Sequence, residues 1–200
     1  MVKADKVKTA KLKTTKVKTA KVKTAKVKAA TKTAAKKETA AKMKAPAKSL
    51  LHAEVPTFEI LSSSGKNVQL TQFKGKKVVL YFYPKDNTPG CTLESHAFNR
   101  LLPEFEKLNT VILGVSRDNL KSHNNFIEKC GFQFELLSDG DEKLCHFFDV
   151  IKEKNMYGKK VMGIERSTFV IDENSRISKE YRKVQADGHA EKVLEDLKQG

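Results

Sequence analysis

The chain has 200 residues and a formal net charge of +15, from 39 Lys and Arg against 24 Asp and Glu. Residues 1–49 hold 17 lysines, no arginine and only Asp5 and Glu38 as acids, so they carry the whole excess and leave a neutral remainder the size of one compact domain. No stretch approaches 18 apolar residues and no short apolar run stands near the start, so neither a membrane span nor a secretory signal is expected.

From Lys6 the segment repeats in fives, KVKTA, KLKTT, KVKTA, KVKTA, KVKAA. A period of five drifts by about 140° per repeat on a helix, so lysines ring the axis and no apolar stripe forms. On a strand the odd period sends successive repeats to opposite faces. The first aromatic residue is Phe58. Residues 1–49 are therefore expected to be disordered when free. Lys6, Lys8, Lys11, Lys13, Lys16, Lys18, Lys21, Lys23, Lys26 and Lys28 form a flexible array suited to phosphate contact without base reading. In composition the segment resembles the tails of linker-histone-like proteins, and nucleic acid is the expected partner. A solubilising tail and an anionic membrane partner are the alternatives. A transit peptide fits less well, since such segments favour Arg and Ser and this one has no Arg and only Ser49.

After Pro46 the pattern changes. Thr57–Leu61 and Asn67–Leu70 read as short strands about a Ser-Ser-Ser-Gly turn, and Lys77–Tyr83 as a buried central strand. A Pro/Gly turn leads to a helix whose Leu93, Ala97, Leu101, Phe105 and Leu108 share one face, with a kink expected at Pro103. Strand 110–115, helix 118–130, strand 133–137, helix 141–149, strands 167–172 and 177–184, and helix 188–198 follow. The alternation predicts an α/β fold, a three-layer α/β/α domain over 50–200. Its sheet is expected to be largely parallel, with an antiparallel final pair.

The string Tyr81-Phe-Tyr-Pro-Lys-Asp-Asn-Thr-Pro-Gly-Cys-Thr-Leu-Glu94 puts Cys91 in the first turn of a helix. Unpaired N–H groups and the helix dipole favour a thiolate there, and the Thr88 hydroxyl lies within reach. Such a thiolate suits nucleophilic attack with stabilisation of a departing oxyanion; a structural cysteine at a helix start is the plain alternative. The three cysteines, Cys91, Cys130 and Cys145, are too few for a disulfide framework and fit a reducing compartment.

Pro84-x-x-x-Thr88-x-x-Cys91 matches the peroxiredoxin active-site pattern. The longer string, with Leu113–Arg117, Leu137–Asp139 and Gly163–Phe169, resembles the Q-type peroxiredoxins, also called bacterioferritin comigratory proteins, over essentially all of residues 50–200. The resemblance implies a thioredoxin-like fold with a mixed central sheet. It also implies a peroxidase that reduces hydrogen peroxide and organic hydroperoxides through a sulfenic acid on Cys91. Thr88 and the N–H groups of Gly90 and Cys91 would hold the peroxide, and Pro84 would shield the site. Arg166 would favour the thiolate and polarise the peroxide, and Glu94 would orient the guanidinium. Recycling would draw on thioredoxin or another thiol, with a monomer in the cytoplasm. The tail would add a nucleoid association, or a nuclear address in a eukaryotic host.

The sequence departs from the family at the resolving cysteine. Where many Q-type members carry it five residues after the first, this chain has His96; where another branch carries it, this chain has Ile127, with Cys130 one turn further on. One-cysteine chemistry with an external thiol is the leading expectation. Resolution by Cys130 after local unwinding comes second, and Cys145 reads as core. No zinc-ligand spacing, Walker loop or G-x-G-x-x-G occurs, so no cofactor or metal is implied. Two other classes stay open. One is a nucleic-acid-associated protein whose peroxidase domain is secondary; the other is a thiol-disulfide oxidoreductase or holdase, disfavoured by the lack of C-x-x-C.

Overall fold

The structure is a computed structural model and describes residues 49–156 and 159–200. The repeat lysines, and the expectation of disorder for 1–49, thus lie outside the described residues apart from Ser49.

The central strand forms as the apolar run dictates. β3 (Lys77–Phe82) is buried from Val78 onward. Its alternate side chains feed two cores, Val78, Leu80 and Phe82 on one face and Val79 and Tyr81, continued by Tyr83, on the other. Parallel to β3 runs β4 (Thr110–Ser116), and parallel to β4 runs β5 (Glu135–Ser138). β1 (Ile60–Ser62) pairs antiparallel with β5 and with the two-residue β2 (Asn67–Val68). β8 (Ser167–Ile171) lies antiparallel to β3, and β9 (Ile177–Tyr181) antiparallel to β8. The order is β2-β1-β5-β4-β3-β8-β9. The sheet is therefore mixed, with parallel pairing confined to its centre.

Helices α1 (Pro89–Lys107), α2 (Leu120–Cys130) and α4 (His189–Lys198) contribute to one core, through Phe98, Phe126 and Val193 among others. The short α3 (Lys143–Phe147), with Leu144 and Cys145, and the leading segment, with Leu50 and Val55, fill the other. Both faces of the sheet are covered. Among the described residues no helix is long and apolar enough to cross a membrane.

Three local expectations shift. α2 begins at Leu120, two residues late, because Asn119 caps it by accepting the Ser122 N–H at 3.0 Å. α1 continues through Pro103 to Lys107, and its buried face keeps Ala97 and Phe105, with Leu101 and Leu108 half-buried against the core, but turns away from Leu93. Leu93 is 49% exposed, while Glu94 and Ser95 are fully buried. Ser95 faces inward because its hydroxyl meets that of Tyr81 at 2.9 Å, a pairing no count of apolar residues reveals. Finally, the interval between α3 and β8 holds a separate antiparallel pair, β6 (Ile151–Met156) and β7 (Lys159–Ile164), that the sequence reading left unassigned.

Candidate active site

Thr88 is the N-cap of α1, in an extended conformation, and Pro89 occupies the first helical position, where its missing N–H costs nothing. The first intrahelical bond runs from the Thr92 N–H to the Thr88 carbonyl at 2.9 Å. The N–H groups of Gly90 and Cys91 therefore have no acceptor within the helix. Cys91 sits among them with only 1% of its surface exposed. Its thiol thus faces partial positive charge in a largely dry setting.

Arg166 also reaches this thiol. It stands in the link between β7 and β8, with its carbonyl accepting the Val184 N–H at 3.1 Å. Its Nη2 lies 3.3 Å from Cys91 Sγ, while Nη1 bonds and ion-pairs with Glu94 Oε2. Glu94 is three residues beyond Cys91, so both project from one helix face to the same guanidinium. Arg166 passes close to Gly90 on the way: a Cβ there would meet Nη2 at 3.4 Å, in van der Waals contact. Burial pushes the Glu94 carboxyl up to about 7, outweighing the attraction of Arg166. Burial works against the charge on Arg166, but Glu94 and Cys91 together hold its pKa above the ordinary value. A cation fixed against a buried sulfur at a helix N-terminus equips that sulfur to attack an electrophile.

The AhpC/TSA family profile matches residues 51–180. The chain belongs to this family. Over 152 residues it is 55% identical to peroxiredoxin Bcp of Xanthomonas campestris pv. campestris, spanning 75% of this chain and 95% of that one. It is 47% identical over 145 residues to peroxiredoxin Bcp of Bacillus subtilis, spanning 72% of this chain and 92% of that one. A trapped-intermediate and ligand-complex structure of the X. campestris bacterioferritin comigratory protein superposes with a TM-score of 0.70 at 54% identity. It covers 73% of this chain and 96% of that one. The chain is thus a peroxiredoxin of the Bcp/PrxQ group with a thioredoxin-like fold, and a thiol-dependent peroxidase.

In this peroxiredoxin the remaining expected residues fall as follows. Pro84 is half-buried at the end of β3. The Thr88 hydroxyl donates to the Lys85 carbonyl at 2.9 Å, so its proton is engaged and its lone pairs are left to accept. All three cysteines are free. Cys145 lies in the core on the other face of the sheet from Cys91, with its N–H bonded to Asp139 Oδ2 at 2.7 Å. Burial and that carboxylate push its thiol far up, which removes it as a thiolate.

Cys130 is half-buried and ends α2, and desolvation raises its thiol pKa. The next residue, Gly131, accepts a hydrogen bond from Asn99 Nδ2 at 3.3 Å, and the Gln133 N–H reaches Asn99 Oδ1 at 2.8 Å. Asn99 is eight residues along α1 from Cys91, on the order of 10 Å down the helix axis. A disulfide between Cys91 and Cys130 needs Cα atoms within about 7 Å, so with the end of α2 tied to Asn99 it calls for local unwinding of the helices. His96 is exposed and lies edge-on to Phe132 at 5.2 Å between ring centroids.

The sequence reading missed two features. Lys154 on β6 sends its ammonium to the Ile164 carbonyl, two residues before Arg166, within a hairpin of no strong pattern. Asp86 turns inward from the site loop to His123, whose Nδ1 lies 3.0 Å from Oδ2. The sequence shows only a Pro/Gly turn there, and the partner of Asp86 lies 37 residues away. Among the described residues no group of three or more His, Cys, Asp or Glu is placed to hold a metal ion.

Proposed function

We propose that Cys91 is the peroxidatic cysteine. Its sulfur attacks the distal oxygen of hydrogen peroxide or an organic hydroperoxide. The S–O bond forms as the O–O bond breaks, leaving a sulfenic acid on Cys91, and the departing oxygen takes a proton and leaves as water or an alcohol. Arg166 and the N–H groups of Gly90 and Cys91 stabilise the charge on the departing oxygen, Thr88 accepts the peroxide O–H, Pro84 limits water access and Glu94 fixes the guanidinium. The observation that carries this reading is the 3.3 Å approach of Arg166 Nη2 to a buried helix-start thiol. The X. campestris relative, described for alkyl peroxide reduction, supports organic hydroperoxides as substrates.

Recycling draws on an external thiol, thioredoxin or another dithiol. A first thiol condenses with the sulfenic acid to a mixed disulfide and releases water, and a second thiol frees Cys91. The separation between Cys91 and the Asn99–Gly131 contact favours this one-cysteine cycle over resolution by Cys130. Intact mass and peptide mapping after one equivalent of hydrogen peroxide test it. One added oxygen on Cys91, with Cys130 and Cys145 still alkylated, is expected. A loss of two mass units mapped to Cys91–Cys130 overturns the external-thiol cycle, and an unmodified Cys91 overturns the peroxidatic assignment.

Residues 1–49 are proposed to bind nucleic acid through their lysines, which would place a cytoplasmic monomer on the nucleoid. Their charge supports this: 17 lysines against two acids release counterions on contact with phosphates. Deleting 1–49 is expected to leave peroxide turnover within about two-fold, since those residues lie outside the matched family region. It should also abolish the salt-sensitive gel shift of duplex DNA. Equal DNA binding by the shortened chain would refute the assignment.

A further inference from the structure

The loop from Pro84 to Thr88 joins β3 to α1, so its conformation sets where Thr88 and the helix N-terminus stand. Lys85 and Asn87 on this loop are exposed, and Asn87 adopts a left-handed φ of 55°. Asp86 between them is 5% exposed and points into the protein. It meets three elements there. The Tyr83 hydroxyl donates to Oδ1 at 2.7 Å. His123 Nδ1, from α2, lies 3.0 Å from Oδ2 and 3.2 Å from Oδ1. The Asp86 N–H donates to Asp118 Oδ2 at 2.8 Å, an oxygen that also accepts from Ser116 Oγ at 2.9 Å.

Burying a carboxylate is unfavourable unless donors surround it. Burial pushes the Asp86 carboxyl up, but the hydrogen bond and electrostatic attraction of His123, helped by Tyr83, outweigh it and hold the group below its ordinary range. Asp86 is therefore an acceptor, and Nδ1 of His123 is the donor. His123 is itself wholly buried, and its Nε2 has no hydrogen-bond partner. A ring kept for packing alone would be better served by an apolar side chain, which would leave no orphaned nitrogen. What the imidazole adds is a donor aimed at Asp86.

We infer that His123 is a positioning residue for the peroxide site, acting through Asp86 to hold the Pro84–Thr88 loop. This rests on Cys91 being the reacting group. His123 touches no reacting atom: its hydrogen bond pins the inward turn of the loop, and the turn fixes the Thr88 hydroxyl and the N–H groups beside Cys91. The same helix ends in Cys130, so the bond also ties the start of α2 to the site loop.

Three full-length variants test this. His123→Asn keeps an N–H close to the place of Nδ1 but leaves a cavity. His123→Leu fills more of the space but offers no donor. Tyr83→Phe removes one other donor to Asp86 with the least change in packing. The readouts are the second-order rate of Cys91 oxidation by hydrogen peroxide and the melting temperature. His123→Leu is expected to react roughly 10- to 100-fold more slowly, and Tyr83→Phe roughly 3- to 10-fold. His123→Asn should stay within about three-fold of the wild type although it melts no higher than His123→Leu, so that rate follows the donor and not stability. Rates that track melting temperature across the set, or wild-type rates in both His123→Leu and Tyr83→Phe, overturn the assignment. The wild-type chain run alongside separates the two claims. No Cys91 oxidation there sinks the peroxidatic reading, whereas oxidation in the wild type with unchanged variants sinks only the role of His123.

Discussion

A chain carrying Cys91→Ser is expected to consume peroxide no faster than buffer while keeping its fold. The substitution exchanges one chalcogen for another at a site with 1% exposure, so packing changes little and stability should stay within about 1 kcal/mol. The chemistry changes completely. A serine hydroxyl stays protonated beside Arg166 and the helix N-terminus, where each contributes only part of the stabilisation an alkoxide needs. Neither remaining cysteine can take over. Cys145 is buried on the other side of the sheet with its thiol pKa pushed far up, and the Cys130 thiol is also raised, at the far end of α2 from Asp86 and its loop. Peroxide consumption in the presence of a dithiol reductant, with a circular-dichroism melt as the control, checks both halves. Turnover that survives in a folded Cys91→Ser chain would remove Cys91 from the centre of the mechanism.

The sequence made this site legible because its decisive parts are local. Thr88, Pro89, Gly90, Cys91 and Glu94 lie within seven residues, and helix-start rules place the thiol in the first turn with the Thr88 hydroxyl in reach before any tertiary contact is known, while the role of Glu94 follows from the family resemblance alone. Arg166 lies 75 residues away, and only its resemblance to a family segment singled it out. The limits of the reading were also physical. Apolar spacing points Leu93 at the core because it knows nothing of polar pairs, yet Glu94 and Ser95 take the buried face through Arg166 and Tyr81. His123 was unmarked because a histidine in a helix gains meaning only from the carboxylate it meets. The β6–β7 hairpin carries Lys152, Glu153, Lys154, Lys159 and Lys160, whose charges hide a strand pattern. β8 and β9 were found as strands, but the pairing of β8 against β3, which delivers Arg166 to Cys91, was not readable from either segment alone.

Replacing Arg166 by Met should slow Cys91 oxidation roughly 10²–10³-fold, the cost of removing a donor that stabilises developing negative charge. It should also change how stability depends on pH, through Glu94. In the wild type the Glu94 carboxyl is raised from 4.5 to about 7, so the folded state holds its proton more tightly than the unfolded chain. Stability from this group is fully present below the unfolded value and falls as pH rises towards 7, by on the order of 3 kcal/mol, then levels off. Without the guanidinium, Glu94 Oε2 loses its partner, and Oε1 already has none. The folded pKa must then rise further, and the loss of stability should continue above pH 7 where the wild type is flat. Urea midpoints at about pH 5, 7 and 8.5 read this directly. Adding Glu94→Gln to Arg166→Met removes the titrating group, so the midpoints should flatten with pH while oxidation stays slow. Recovery of rate in that double variant would mean that Arg166 acts only by neutralising Glu94; continued slowness means that its contact with the sulfur and the departing oxygen is what the reaction uses.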